Sequence, residues 1–148
     1  MRLAGKTAIV TGGASGFGAG IVRKFVAEGA RVMIADLNTD LAQETAEQVG
    51  GNVEVIHCNV ADDASVRAMV EAVQTAFGRI DILINNAGTT HLPAPMENVA
   101  EEDFDKVFAV NCKSVYLTAK YVVPLMKAQG SGAILNVAST AGVSPRPR

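Results

Sequence analysis

Apolar and polar positions switch between two periods along the chain. Thr7-Ala8-Ile9-Val10 is a short apolar, β-branched run that reads as a strand. Ile21, Val22, Phe25 and Val26 then recur as one face of an amphipathic helix. The alternation continues. Residues 30–35 (ARVMIA) predict a second strand and residues 39–49 a second helix, entered through Asn38 or Thr39 as N-cap. Residues 53–58 predict a third strand. A third helix over 62–77 has Val66, Met69, Val70 and Val73 on one face. Residues 80–85 (IDILIN) predict a fourth strand, followed by a loop over 87–100 containing Pro93 and Pro95. Helix resumes near Glu101 and runs to about Gln129 with a kink at Pro124. Residues 132–138 predict a fifth strand, and the tail 142–148, with Pro145 and Pro147, is irregular. Strands two, four and five are apolar on both faces, as expected when helices cover both sides of a sheet. The pattern predicts one α/β domain over residues 1–148, a doubly wound parallel sheet of five strands with intervening helices.

The turn between the first strand and first helix carries Gly12, Gly13, Gly16 and Gly18. Glycine takes positive φ and lets backbone approach a ligand closely. The following helix points free N–H groups and its positive dipole end outward. Strand, glycine turn and helix therefore suit a dinucleotide diphosphate, although a Gly-rich turn can also serve without a ligand. Asp36 ends the second strand, where a carboxylate accepts from ribose hydroxyls and repels a 2′-phosphate. It can equally open an Asp-x-Asn turn. No Arg or Lys lies in the glycine turn, and Leu37 stands where a phosphate clamp would place a base. The expected cofactor is NAD rather than NADP.

Counted from Thr11, the glycines read T-G-x-x-x-G-x-G, and Asn85-Asn86-Ala87-Gly88 follows the fourth strand. In both motifs the chain resembles the classical short-chain dehydrogenase/reductase family. The resemblance implies a Rossmann-like fold, here incomplete. It also implies a cofactor site formed by Thr11, Gly12, Ser15, Gly16, Phe17, Gly18, Asp36, Leu37, Asn59, Val60, Asn86, Ala87 and Gly88. Asn59-Val60 matches a position that usually reads Asp-Val and contacts adenine; the Asn59 amide oxygen can still accept from the adenine amino group. Asn111 matches an asparagine that holds a proton-relay water. Ser139 matches a serine that hydrogen-bonds the substrate carbonyl or hydroxyl. These two are the expected catalytic residues. The implied reaction moves hydride between a secondary alcohol and a carbonyl, with this chain as the cofactor-binding part.

That family's catalytic Tyr-x-x-x-Lys pair lies on the helix after the fifth strand, and this chain stops nine residues past Ser139. Tyr116 and Lys120 have the same spacing, but on the helix bearing Asn111 and before Ser139, so they are read as packing or interface residues. The 148 residues alone are expected to be inactive. The alternative is a non-catalytic fragment that binds dinucleotide or a subunit. His91 is expected to be a solvated loop histidine near the substrate and His57 a structural one.

Composition narrows the classes. At 49% hydrophobic residues, with no membrane-length apolar run, the chain reads as soluble and globular. Net charge is −2 with signs interspersed, which gives no case for nucleic acid. Cys58 and Cys112 form no ligand cluster and are expected to be buried free thiols in a reducing cytoplasm, with no metal. Residues 1–4 lead straight into the first strand, so no signal peptide is expected. Ile82, Ile84, Leu135 and Val137 are expected to expose apolar surface unless a homo-oligomer partner or further chain covers it.

Overall fold

The computed structural model describes residues 1–144. Five parallel strands form one sheet: β1 (Thr7–Thr11), β2 (Arg31–Asp36), β3 (Val53–His57), β4 (Ile82–Asn85) and β5 (Ala133–Asn136). Their spatial order is β3-β2-β1-β4-β5. The chain winds outward from β1 to β3, then returns to β4 on the other side of β1. That reversal opens a crevice at the carboxyl ends of β1 and β4, the usual ligand position in such sheets.

Strand periodicity sorts the core into two layers. Ala8, Val10, Val32 and Ile34 face α1 (Gly16–Ala27) and α2 (Thr39–Val49). Ile9, Met33 and Leu83 face α3 (Asp63–Phe77) and α5 (Ser114–Gln129), where Val66, Met69, Val70 and Val73 are all buried. Helices therefore cover both faces of the central strands, which are among the most buried segments of the chain.

α4 (Glu101–Phe108) runs into a π-helical turn (Ala109–Lys113) and then α5. The π turn is an irregularity beyond the sequence reading, and α5 continues through Pro124 to Gln129. Pro124 is exposed, so the Lys120 carbonyl that loses its intrahelical donor there stays open to water. Cys58 is buried, but Cys112, in the π turn, is exposed, contrary to expectation. The wider π turn shifts the helical register and turns Cys112 away from the sheet.

The expected bare surface is also redistributed. Ile84 is buried and Ile82 half-buried, because β4 lies between β1 and β5 and joins the α1/α2 layer. Exposure falls on β5 and its continuation, at Ile134, Leu135 and Val137. β5, read as apolar on both faces and covered, is in fact exposed along its length.

Candidate functional site

A cleft of about 510 Å³ opens at the carboxyl ends of the central strands. One wall is the glycine turn. Gly12 has φ +64°, and a Cβ there would sit 2.9 Å from the Ala87 Cα. Gly16, at φ +53°, turns the chain into α1. Gly18 has ordinary φ but no space: a Cβ would strike the Gly12 carbonyl oxygen and lie 2.7 Å from Asn86 Nδ2. The Ser15 side chain does not cap α1, so the first N–H groups of that helix are left for another acceptor.

Asn86 closes the turn from the opposite side, its Nδ2 donating to the carbonyls of Thr11 and Gly12 at 3.0 Å each. Thr11 is buried beneath the cleft and does not line it. Its hydroxyl accepts from the N–H groups of Asn86 and Ala87 at 3.0 and 3.1 Å and donates to the Ile84 carbonyl at 3.3 Å. It positions the floor. Asn85 points away from the cleft, donating to Asn136 Oδ1 at 2.8 Å and accepting from Thr118 Oγ1 at 2.9 Å, which locks β4 to β5 and α5.

Asp36 lies at the far end of the cleft. Its Oδ2 accepts from the Ala14 N–H and its Oδ1 from the Asn38 N–H, both at 3.0 Å. The carboxylate therefore does open the local turn, and each oxygen keeps lone-pair capacity toward the cleft. Nearby, the Asn59 Oδ1 accepts from the Ala61 N–H at 3.0 Å, leaving the amide NH2 as the end with no partner among the described residues. Gly12, Ser15, Phe17, Gly18, Asp36 and Leu37 line the cleft together, as do Asn59, Val60, Asn86, Ala87 and Gly88, whereas Gly16 shapes the turn without lining it.

Neither expected catalytic residue lines this cleft. Asn111, in the π turn, clasps Thr89 at both ends: Oδ1 accepts from its N–H and Nδ2 donates to its carbonyl, each at 2.8 Å. Ser139, exposed beyond β5, accepts from the Ala141 N–H at 3.1 Å and starts a 3-10 turn. Sequence reasoning missed Ala35, Cys58, Thr89, Lys106 and Val110, which also line the cleft. Val110 and Lys106 are four residues apart and share a helix face, but no sequence signal aims that face at the cleft. Burial pushes the Cys58 thiol up.

Tyr116 and Lys120 make no shared site. Tyr116 is exposed. Lys120 Nζ lies 2.7 Å from Asp63 Oδ1, and the Tyr121 hydroxyl donates to Asp63 Oδ2 at 2.6 Å. Lys120 and Tyr121 together hold the Asp63 carboxyl below its usual range, and that pairing raises Lys120. This cluster ties α5 to α3. His91 Nδ1 lies 2.7 Å from the Leu92 carbonyl within its own loop, and His57 is exposed on edge strand β3.

Among the described residues, no helix is long and apolar enough to cross a membrane. The short chain dehydrogenase family model matches residues 6–148. A 4-formylbenzenesulfonate dehydrogenase of Comamonas testosteroni is 47% identical over 99% of this chain and 60% of its own length. D-threitol dehydrogenase of Mycolicibacterium smegmatis is 45% identical over 95% of this chain and 55% of its own. The crystal structure of 3-ketoacyl-(acyl-carrier-protein) reductase from Brucella melitensis complexed with NADH superposes with TM-score 0.94 at 41% identity, covering 98% of this chain and 62% of that one. The chain thus spans about 60% of the length of the relatives it matches. With five parallel strands in Rossmann-like order, this chain belongs to the short-chain dehydrogenase family.

Proposed function

We propose that the chain is the cofactor-binding part of an NAD-dependent oxidoreductase that moves hydride between a secondary alcohol and a ketone or other carbonyl. The observation that carries this reading is Asp36, oriented by two backbone N–H groups at the end of a neutral, glycine-walled cleft. Its remaining lone pairs suit ribose hydroxyls, and its charge disfavours a 2′-phosphate. The uncapped start of α1 suits the diphosphate. A bound nicotinamide supplies or accepts the hydride. Asn111 fixes the loop after β4 through Thr89, and Ser139 is the residue that would hydrogen-bond the reacting oxygen. Polyol and 3-oxoacyl substrates are the candidates suggested by the relatives' names. A cytoplasmic homo-oligomer is the proposed setting; the exposed Phe104, Phe108 and Tyr116 along the α4–α5 run favour a partner.

The test is calorimetric titration of both dinucleotides. NAD should bind more tightly than NADP, and Asp36→Ala should weaken NAD binding by about 1.5–3 kcal/mol while narrowing that gap. Tighter NADP binding by the unmutated protein would overturn the cofactor assignment.

The second reading, a dinucleotide- or subunit-binding fragment without catalysis, draws on a separate observation. Among the described residues, no titratable side chain hydrogen-bonds Ser139 or Asn111. A hydride step needs a base within reach of the alcohol proton. Residues 1–148 alone are therefore expected to bind cofactor without turnover.

A further inference from the structure

We infer that Lys106 is the cation that draws the dinucleotide's diphosphate into the cleft. This inference rests on the proposed function and adds a residue to it. The glycine turn, Thr11 to Gly18, carries no basic side chain. Among the described residues lining the cleft there is one anion, Asp36, and one cation, Lys106. A diphosphate entering this space brings two negative charges toward a wall that already carries a carboxylate. The α1 N-terminus offsets part of that repulsion, over a short range. Lys106 is the remaining positive charge.

Its placement suits the task. Lys106 lies one turn before Val110, which also lines the cleft and packs partly into the α3/α5 core layer. That packing sets the helix face that Lys106 shares. The π turn is fixed by the Asn111–Thr89 clasp, and Lys113 Nζ donates to the Ala61 carbonyl at 3.3 Å on the loop after β3. The helix carrying Lys106 is thus pinned beside the cleft from two sides. Glu102 and Asp103 are four and three residues back, yet Lys106 forms no ion pair with either among the described residues. A solvated ammonium on a flexible stem acts on phosphate as a point charge and needs no fixed geometry.

The experiment is titration with NADH and with NADPH by fluorescence in the unmutated protein, Lys106→Gln, Lys106→Glu and a control, Lys127→Gln, near the end of α5. Each is measured at low and at higher salt, and ADP-ribose and adenosine are titrated in competition. Removing one ammonium that acts through water on two phosphate charges predicts weakening by about three- to tenfold in Lys106→Gln. The effect should be larger in Lys106→Glu and smaller near 0.2 M salt. ADP-ribose should follow NADH, while adenosine and the control variant stay unchanged. Unaltered NADH affinity and salt dependence in Lys106→Gln would overturn the inference. So would an effect confined to NADPH, which would assign Lys106 to a 2′-phosphate. Failure of the unmutated protein to bind either dinucleotide would sink the proposed function itself.

Discussion

Gly18 has no room for a methyl group, and the obstacle belongs to the protein. A Cβ at this position meets the Gly12 carbonyl, which also accepts from Asn86, so the glycine turn and the NNAG segment would have to move together. A role in spacing helix from ligand, as the sequence alone suggests, is therefore only part of the constraint. Overpacking of this kind costs about 1–3 kcal/mol. Gly18→Ala should lower the melting temperature, leave far-UV circular dichroism near that of the unmutated protein, and weaken NADH binding at least tenfold. Unchanged affinity in a destabilised variant would mean that the Gly12 carbonyl can shift without disturbing the cleft.

The elements meet at the opposite end of the sheet through Asp81, between α3 and β4. Asp81 is buried and accepts from the Thr7 N–H at 3.0 Å and from Arg79 at 2.6 and 3.0 Å, with Lys6 Nζ at 3.5 Å. Burial works against its charge, but Arg79, the Thr7 N–H and Lys6 outweigh it and hold the carboxyl below its ordinary value. A depressed folded-state value makes the contribution complete above the unfolded carboxyl pKa of about 3.9, and lost as pH falls through the folded one. Asp81→Asn should therefore cost about 1–3 kcal/mol near pH 7, read from urea unfolding, and the gap should close below about pH 4. A pH-independent gap would locate the cost in packing alone. Side chains like these also decide how much of the fold is legible in the sequence. α2 begins where its cap predicts, with Asn38 Oδ1 accepting from Leu41 N–H, while α3 begins one residue later than its apolar pattern suggests, because Asp62 serves as N-cap with Oδ1 accepting from Ser65 N–H. β4 starts two residues later than its apolar run, because Ile80 bonds Gln129 and Asp81 caps β1. The π turn has no composition marker. Nothing in the sequence around Cys112 therefore signals its exposure. Asp36 and the glycines were legible because local backbone geometry demands them. Lys106 was not, since its importance comes from the absence of other cations across a fold-wide cleft.

At the scale of the molecule, the two sheet edges differ. β3 presents exposed Glu54 and His57, polar side chains that discourage pairing with another strand. β5 is Ala133-Ile134-Leu135-Asn136, without a charge, and among the described residues its ladder partner is β4 alone. In register, Leu135 lies beside Ile84 and Ile134 beside Leu83. Leu135 therefore faces the α1/α2 side, where it is 52% exposed, while Ile84 beside it is 3% exposed. Val137, two residues on, has the same parity and is also exposed. Among the described residues, the helical cover on that side stops at β4. An apolar, uncharged edge next to an uncovered face is the surface through which residues 1–148 should self-associate. A polypeptide of these residues should bind an apolar-surface dye and show light scattering that rises with concentration. Leu135→Thr combined with Val137→Lys should reduce both signals at least twofold while leaving NADH affinity unchanged, because neither residue lines the cleft. The charge should act mainly on the edge and the threonine on the face, so the single variants separate the two contributions. Equal dye binding and scattering in the double variant would shift the association to the exposed Phe104, Phe108 and Tyr116 on the α4–α5 run.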